Sequence, residues 1–491
     1  MSFRSKLYHS IIYNSSLNAL CIQGCYYSYG QLAGRISTIQ QTLIQHPAHL
    51  QRIGIVLNNT ADTYAAIIAI LLLGKSYVPL HPDHPAERIQ QIYSQAGIDI
   101  VLSSSASHLF TDITCVDLSL LPYVSDTPVL SDGDFGNSYA YILFTSGSTG
   151  IPKGTPITFG NINTFATGFY AIGYQLTQQD RCLQMFDLTF DLSVVSYLMP
   201  LCAGACVYTL PHKGMKFTNV YSILEEYNIT FALMVPSILS FLRPYFSEIQ
   251  LPHLRYSLFC GEALPLVLVK DWQNCVPNAI IDNVYGPTEA TIFCLCYRVD
   301  TTGYIGATNG VVWIGKPMQG VNVIVADDDG KLIPTGEKGE LCLSGNQVTP
   351  GYLDTEKNKT AFFTLNDKKY YRTGDLVLLH TDGNYIYCGR SDHQVKIQGF
   401  RIELAEVEHH ARSAFGCNAV AIVTQNTQGI SQIELVLETE ATNITDIAST
   451  LKSLMPAYML PVGIHFVKPL PLNVNGKTDR KELAKIISTT V

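Results

Sequence analysis

The sequence is poor in charge. Asp, Glu, Lys and Arg make up 15% of its 491 residues against 47% hydrophobic ones, which excludes a disordered or linker-dominated chain. A basic excess is also missing. The 32 Lys+Arg stand against 40 Asp+Glu, a net charge of −8, so the chain repels a polyanion on average and no nucleic-acid partner is expected. No run of five like charges forms a basic arm or an acidic tail. Its 13 cysteines include no C-x-x-C pair and no His-rich companion, so they read as reduced thiols, not as a disulfide framework or a zinc site. Long hydrophobic runs are absent too. The longest, Tyr64 to Leu73, is closed by Gly74 and Lys75. It falls short of the roughly 20 apolar residues a bilayer crossing needs, so it reads as a buried helix and no membrane partner is expected. The segment MSFRSKLYHSIIYNSS has no continuous apolar stretch before a small-residue cleavage site, which predicts a cytoplasmic protein.

What is present suggests about two to four domains. Short β-rich runs alternate with helical stretches: Ile53–Leu57 as a strand, Asp62–Leu73 as a helix, Ile98–Ser103 and Tyr139–Phe144 as strands. That rhythm predicts an α/β fold, with a large N-terminal domain of mainly parallel sheets covered by helices. From Val321–Val325 and Gly339–Ser344 onward, short strands and turns predict a small β subdomain. After Arg390 the pattern changes again, with strands at 395–397, 419–423 and 433–437 and helices at 404–414 and 483–487. This last part reads as a small α+β C-terminal domain. The expected division is 1–391 and 392–491.

The segment richest in chemistry follows the strand Tyr139–Phe144: Thr145-Ser146-Gly147-Ser148-Thr149-Gly150-Ile151-Pro152-Lys153-Gly154. Glycines let backbone N–H groups turn toward an anion, hydroxyls add donors without bulk, and a lysine adds a mobile charge. Together they read as a phosphate cradle. It is not a Walker A loop, because proline precedes the lysine and glycine follows it.

With this loop the chain resembles the adenylate-forming superfamily of acyl- and aryl-CoA synthetases, luciferases and amino-acid adenylation domains of nonribosomal peptide synthesis. The resemblance covers nearly the whole chain, because four further motifs follow in order. They are Asn283-Val284-Tyr285-Gly286-Pro287-Thr288-Glu289, Tyr371-Arg372-Thr373-Gly374-Asp375, Gly389-Arg390-Ser391-Asp392-His393-Gln394-Val395-Lys396 and Asn475-Gly476-Lys477-Thr478-Asp479-Arg480.

The resemblance implies ATP and Mg²⁺ as cofactors, and it assigns roles by motif. Glu289 holds the metal, as a hard cation wants carboxylate oxygen. Thr288, Thr145, Ser146, Gly147, Ser148 and Thr149 face phosphate oxygens, with Lys153 over the pyrophosphate. Tyr285 stacks on adenine, Asn283 pairs with its exocyclic amine, and Gly261, Glu262 and Gly286 line the same nucleotide site. Asp375 accepts the ribose hydroxyls, with Tyr387 and Arg390 close by. Lys477 bridges carboxylate and phosphate as the catalytic lysine. Asp392 is the hinge about which the small domain rotates, presenting Lys396 and residues 398–401 on a second face for thioester formation.

The stretch Phe190-Asp191-Leu192-Ser193-Val194 matches amino-acid-activating members, where the aspartate binds the α-ammonium. A carboxylate in an apolar pocket is costly without a cationic partner. Asp187 is the competing acid nearby. By the same alignment the pocket is Leu192, Val195, Leu233, Leu258, Cys260, Val284, Ile292 and Phe293, all apolar, which suits a neutral aliphatic amino acid such as alanine, valine, proline or leucine. The string Phe259–Pro265 is similar to D-alanine:carrier-protein ligases, although Leu233 and Val284 depart from that branch. No Gly-Gly-x-Ser carrier motif or His-His-x-x-x-Asp condensation motif is present, so a carrier protein with a phosphopantetheine arm is expected in trans. The competing readings are an acyl-CoA ligase, which needs no Asp191, and a non-catalytic ATP-binding module, which needs no Lys477.

Overall fold

A computed structural model of the chain describes residues 1–47, 49–104, 113–124, 126–147, 150–211, 214–392, 394–440, 446–472 and 478–490. Packing divides it into two units. The first comprises residues 1–82, 93–144 and 154–391, and the second residues 83–92, 145–153 and 392–491.

Two large sheets and a smaller one build the first unit. The nine-stranded sheet runs in the order Cys25–Ser28, Asn18–Ile22, Cys206–Thr209, Arg181–Gln184, Phe231–Met234, Tyr256–Phe259, Ile280–Tyr285, Leu295–Arg298 and Lys316–Pro317. Its six central strands, from Asn18–Ile22 to Ile280–Tyr285, are parallel, and antiparallel pairs close both sides. The six-stranded sheet runs Cys115–Asp117, Ile100–Ser103, Arg52–Val56, Ser76–Leu80, Tyr139–Thr145, Lys153–Thr158, and its first five strands are parallel.

Parallel strands are covered on both faces, so the helices over them must be apolar nearly all round. The helix Ala61–Leu72 has every residue from Thr63 to Leu72 buried, and Asp191–Ala203 is buried from Asp191 to Leu201. Among the described residues no helix is long and apolar enough to cross a membrane. The expected β subdomain is an antiparallel sheet of Val321–Ala326, Lys338–Gly345, Lys368–Leu379, Phe362–Leu365 and Tyr385–Arg390.

The second unit holds the hairpin Gln394–Ile397/Phe400–Glu403 and the helix Leu404–Phe415. Its three-stranded sheet is Ala419–Gln425, Ser431–Leu437 and Gly463–Phe466, followed by the helix Arg480–Thr490. Val407, Ala411, Ile433, Leu435 and Met459 are among the buried residues of its core. Element boundaries lie within a few residues of the sequence expectations, which is the scatter that fraying ends allow.

Candidate active site

Asp191 opens the helix Asp191–Ala203, since Phe190 before it is extended and cannot continue a helix backwards. Its side chain is buried, and among the described residues its Oδ2 accepts no hydrogen bond. Burial pushes the carboxyl up to about 7; Thr288 and the amides of Leu192 and Ile292 oppose that rise, while the Glu289 charge adds to it. Leu192, Val195, Leu233, Leu258, Cys260, Val284, Ile292 and Phe293 are all buried, and all fall in one hydrophobic cluster. Strands, a helix and a turn supply these side chains to the main apolar core of the first unit, and Asp191 immediately precedes Leu192 there. Asp187 is different. Burial pushes its carboxyl up, but His81 Nε2 at 3.0 Å and two donations from Thr189 overcome this and bring it down to about 2. Of the two acids, Asp187 is brought below its ordinary value by its partners, and Asp191 stays above its own.

The strand Ile280–Tyr285 carries Asn283 and Tyr285 to its C-terminal end, and the 3₁₀ turn Thr288–Ala290 follows directly. Asn283 Nδ2 donates to the carbonyls of Val312 and Trp313 at 3.3 and 2.9 Å, so only its oxygen can serve an exocyclic amine. Gly286 has no room for a side chain, as a Cβ there would stand 2.4 Å from Phe293 Cα. Glu289 is fully buried and accepts from the Tyr352 hydroxyl at 2.5 Å, while Thr288 is half-buried at the start of the turn.

Asp375, on the strand Lys368–Leu379, is also buried. The Tyr285 hydroxyl donates to its Oδ2, and Arg390 Nη1 donates to Oδ1 at 2.6 Å. Tyr387 packs against the cluster that contains Tyr285, Val377 and Tyr385. Gly261 has φ +90°, and Glu262 accepts from Ser237 N at 2.8 Å, so this carboxylate caps the helix Pro236–Leu242. Among the described residues no group of three metal-ligating side chains occurs. Glu289 alone fits Mg²⁺, which binds through one or two carboxylates with substrate phosphates and water.

In the second unit the glycine-rich loop already meets an anion. Gly147 N donates to Glu406 Oε2 at 2.9 Å, which shows that its amide is turned to serve a negatively charged oxygen. Ser146 Oγ donates to Arg401 O at 2.8 Å, and Lys153 Nζ pairs with Glu403 Oε1 at 3.2 Å. Thr145 Oγ1 is buried with no hydrogen-bond partner among the described residues. Glu406 is itself paired with Arg88 at 2.7 Å, both side chains being buried. Asp392 is exposed and accepts from Gln394 N at 3.1 Å. Ser148, Thr149, His393, Asn475, Gly476 and Lys477 lie outside the described residues.

Sequence reasoning missed two residues that hold this site together. Tyr352 reaches Glu289 across 63 positions, and Gln347 lies across 54 to 57 positions from the turn after Glu289. Their signal was faint: Gln347 and Tyr352 are polar or hydroxyl residues in the Gly345–Leu353 run after a strand, a composition that also suits an ordinary loop.

Comparison with known proteins places this geometry. The D-alanine–D-alanyl carrier protein ligase of Lactiplantibacillus plantarum is 31% identical over 448 residues, covering 87% of each chain. Bacitracin synthase 3 of Bacillus licheniformis is 32% identical over 448 residues, covering 89% of this chain and 7% of that protein. The chain spans between 6% and 42% of the length of four large synthases and synthetases that it matches. The crystal structure of the Vibrio cholerae adenylation domain AlmE, in complex with glycyl-adenosine-5'-phosphate, aligns with a TM-score of 0.87 at 27% identity, over 99% of this chain and 98% of that one. Residues 14–353, the greater part of the sequence, match the family described as AMP-binding enzyme, and the chain belongs to that family.

Proposed function

We propose that the protein activates a neutral aliphatic amino acid with ATP, releasing pyrophosphate, and then passes the aminoacyl group to the phosphopantetheine thiol of a separate carrier protein. One observation carries this reading: a buried carboxylate, Asp191, with an oxygen that accepts no hydrogen bond among the described residues, at the start of a helix packed into the main apolar core. An α-ammonium supplies the missing partner, and a neutral side chain suits the rest. The amino-acid relatives and the AlmE complex with an aminoacyl adenylate support the same class.

In the first step a carboxylate oxygen of the amino acid attacks the α-phosphorus of ATP, and the bond to pyrophosphate breaks. Nucleophile and target are both anionic, so neutralisation and alignment supply most of the catalysis. Glu289 would hold Mg²⁺, which when bound would neutralise phosphate charge. Lys153 and the amides and hydroxyls of 145–149 hold the phosphates, and Lys477 spans the carboxylate and the α-phosphate. Asn283, Tyr285 and Asp375 hold the nucleoside. In the second step the carrier thiol loses its proton and attacks the acyl carbon, and AMP leaves. Between the steps residues 392–491 turn about Asp392 relative to 1–391, which withdraws Lys477.

The test is pyrophosphate exchange into ATP with a panel of amino, fatty and aryl acids. Exchange with alanine, valine, proline or leucine supports the reading. Exchange confined to fatty or aryl acids moves the protein to the acyl-CoA ligases, and ATP binding without exchange makes it a non-catalytic module.

A further inference from the structure

The turn that joins Glu289 to the apolar pocket is strained. Thr291 and Ile292 are consecutive β-branched residues at φ +55° and +76°, a region that such side chains rarely enter. A turn of this kind persists only where its surroundings hold it. Here one side chain reaches three of its carbonyls. Gln347 Nε2 lies 2.9 Å from Ala290 O, 3.2 Å from Thr291 O and 2.6 Å from Phe293 O. Its two hydrogens are thus shared among three carbonyls of the turn. Thr291 Oγ1 returns a hydrogen bond to Gln347 O at 2.6 Å, and two residues on Thr349 N donates to Glu289 O at 2.7 Å. Gln347 is fully buried, and its Oε1 has no hydrogen-bond partner among the described residues, so the side chain is placed for what its nitrogen does. On the other side the turn is pressed against Gly286.

We propose that Gln347 is a positioning residue for the adenylation reaction: by clamping residues 290–293, with Thr291 and Ile292 in the left-handed conformation, it sets where Glu289 stands on one side of the turn and Ile292 and Phe293 on the other. This inference rests on the proposed amino-acid activation. It makes metal binding and amino-acid binding depend on one carboxamide that need touch neither ligand.

The test uses the whole chain with Gln347→Met, which keeps the length and removes the donors, and Gln347→Glu, which turns a donor toward the carbonyls into an acceptor. Thr291→Val, which removes only the returning hydroxyl, is the milder second variant. Each is assayed by pyrophosphate exchange well below its unfolding temperature. The expected result is a KM for the amino acid raised about tenfold in Gln347→Met, the size of effect that losing one or two buried hydrogen bonds produces. The Mg²⁺ concentration for half-maximal rate should rise in parallel, with the ATP KM at saturating Mg²⁺ little changed. Thr291→Val should shift the same two quantities less, and Gln347→Glu more. If these variants lose thermal stability while the amino-acid KM and the Mg²⁺ requirement stay as in the wild type, Gln347 is structural only and the proposal fails. A wild-type chain that exchanges with no amino acid overturns the amino-acid reading itself, a different result from an active wild type with kinetically silent variants.

Discussion

Asp191 and Asp187 are four positions apart, and the difference between them is electrostatic. Asp187 has His81 and Thr189, and Asp191 Oδ2 has no hydrogen-bond partner among the described residues. Replacing Asp191 with Ala strands a substrate ammonium, and breaking a buried pair costs about 3–5 kcal/mol, a factor of hundreds to thousands in KM for the amino acid. The KM for ATP should hardly move, and a des-amino acid of the same shape should lose much of its disadvantage. The pH dependence follows from the same carboxyl. Free Asp191 keeps its proton up to about pH 7, while an ammonium needs it ionised, so the amino-acid KM should climb as pH falls below 7. For folding the sign is opposite. A raised acid binds its proton more tightly in the native state, so its contribution is full below its unfolded value and is lost as pH rises through about 7. Thermal melts of wild type and Asp191→Asn from pH 5 to 9 check this, with the wild type falling behind as pH increases. A second residue-level test is Tyr285→Phe. It leaves the buried Asp375 Oδ2 without the hydroxyl donor, which should cost about 1–3 kcal/mol in urea unfolding and weaken nucleotide binding. Asp191, Tyr285 and Asp375 were all legible from their motifs, because each sits beside residues that give it meaning. The Tyr285–Asp375 bond was not, because the partners are 90 positions apart.

At the scale of elements, the parallel sheets and their buried helices were written in local periodicity. Runs such as Tyr139–Thr145 and the largely apolar Ala61–Leu72 leave few alternatives once they must be covered. What holds the loops around the site was less visible. Asn161 closes a capping box with Thr158 at the start of the helix Phe159–Ala171, and its Nδ2 also donates to the carbonyls of Asn346 and Val348 at 2.8 and 3.0 Å. Those carbonyls flank Gln347. The box alone could be guessed from Thr and Asn at the right spacing; the second job depends on a segment 185 positions away. Asn161→Ala should therefore destabilise the protein by more than the ~1 kcal/mol of a lost cap, by about 1–3 kcal/mol in urea unfolding. It should also raise the amino-acid KM, as the Gln347 variants do. Asn161→Asp keeps the cap acceptor but not the Nδ2 donors, and restoring stability without restoring KM would separate the two jobs.

For the whole molecule the question is how one chain would run the two proposed half-reactions. In the proposed scheme Lys477 serves only the first, so Lys477→Ala should cripple pyrophosphate exchange and leave transfer from a preformed aminoacyl adenylate largely intact. Equal loss in both assays would mean that the lysine is structural or that residues 392–491 do not turn. Sequence alone determined the family, the α/β class and the order of the motifs, because each of these is carried by residues that are neighbours along the chain; the roles of Asp191 and the glycine-rich loop belong to the proposed scheme. Only the tertiary structure decided that residues 83–92 and 145–153 group with 392–491, that Arg88 and Glu406 form a buried pair, and that Gln347 and Tyr352 brace the Glu289 turn. Those pairings join residues 54 to 318 positions apart. A hydrogen bond forms where packing brings donor to acceptor, and no local window of sequence contains that information.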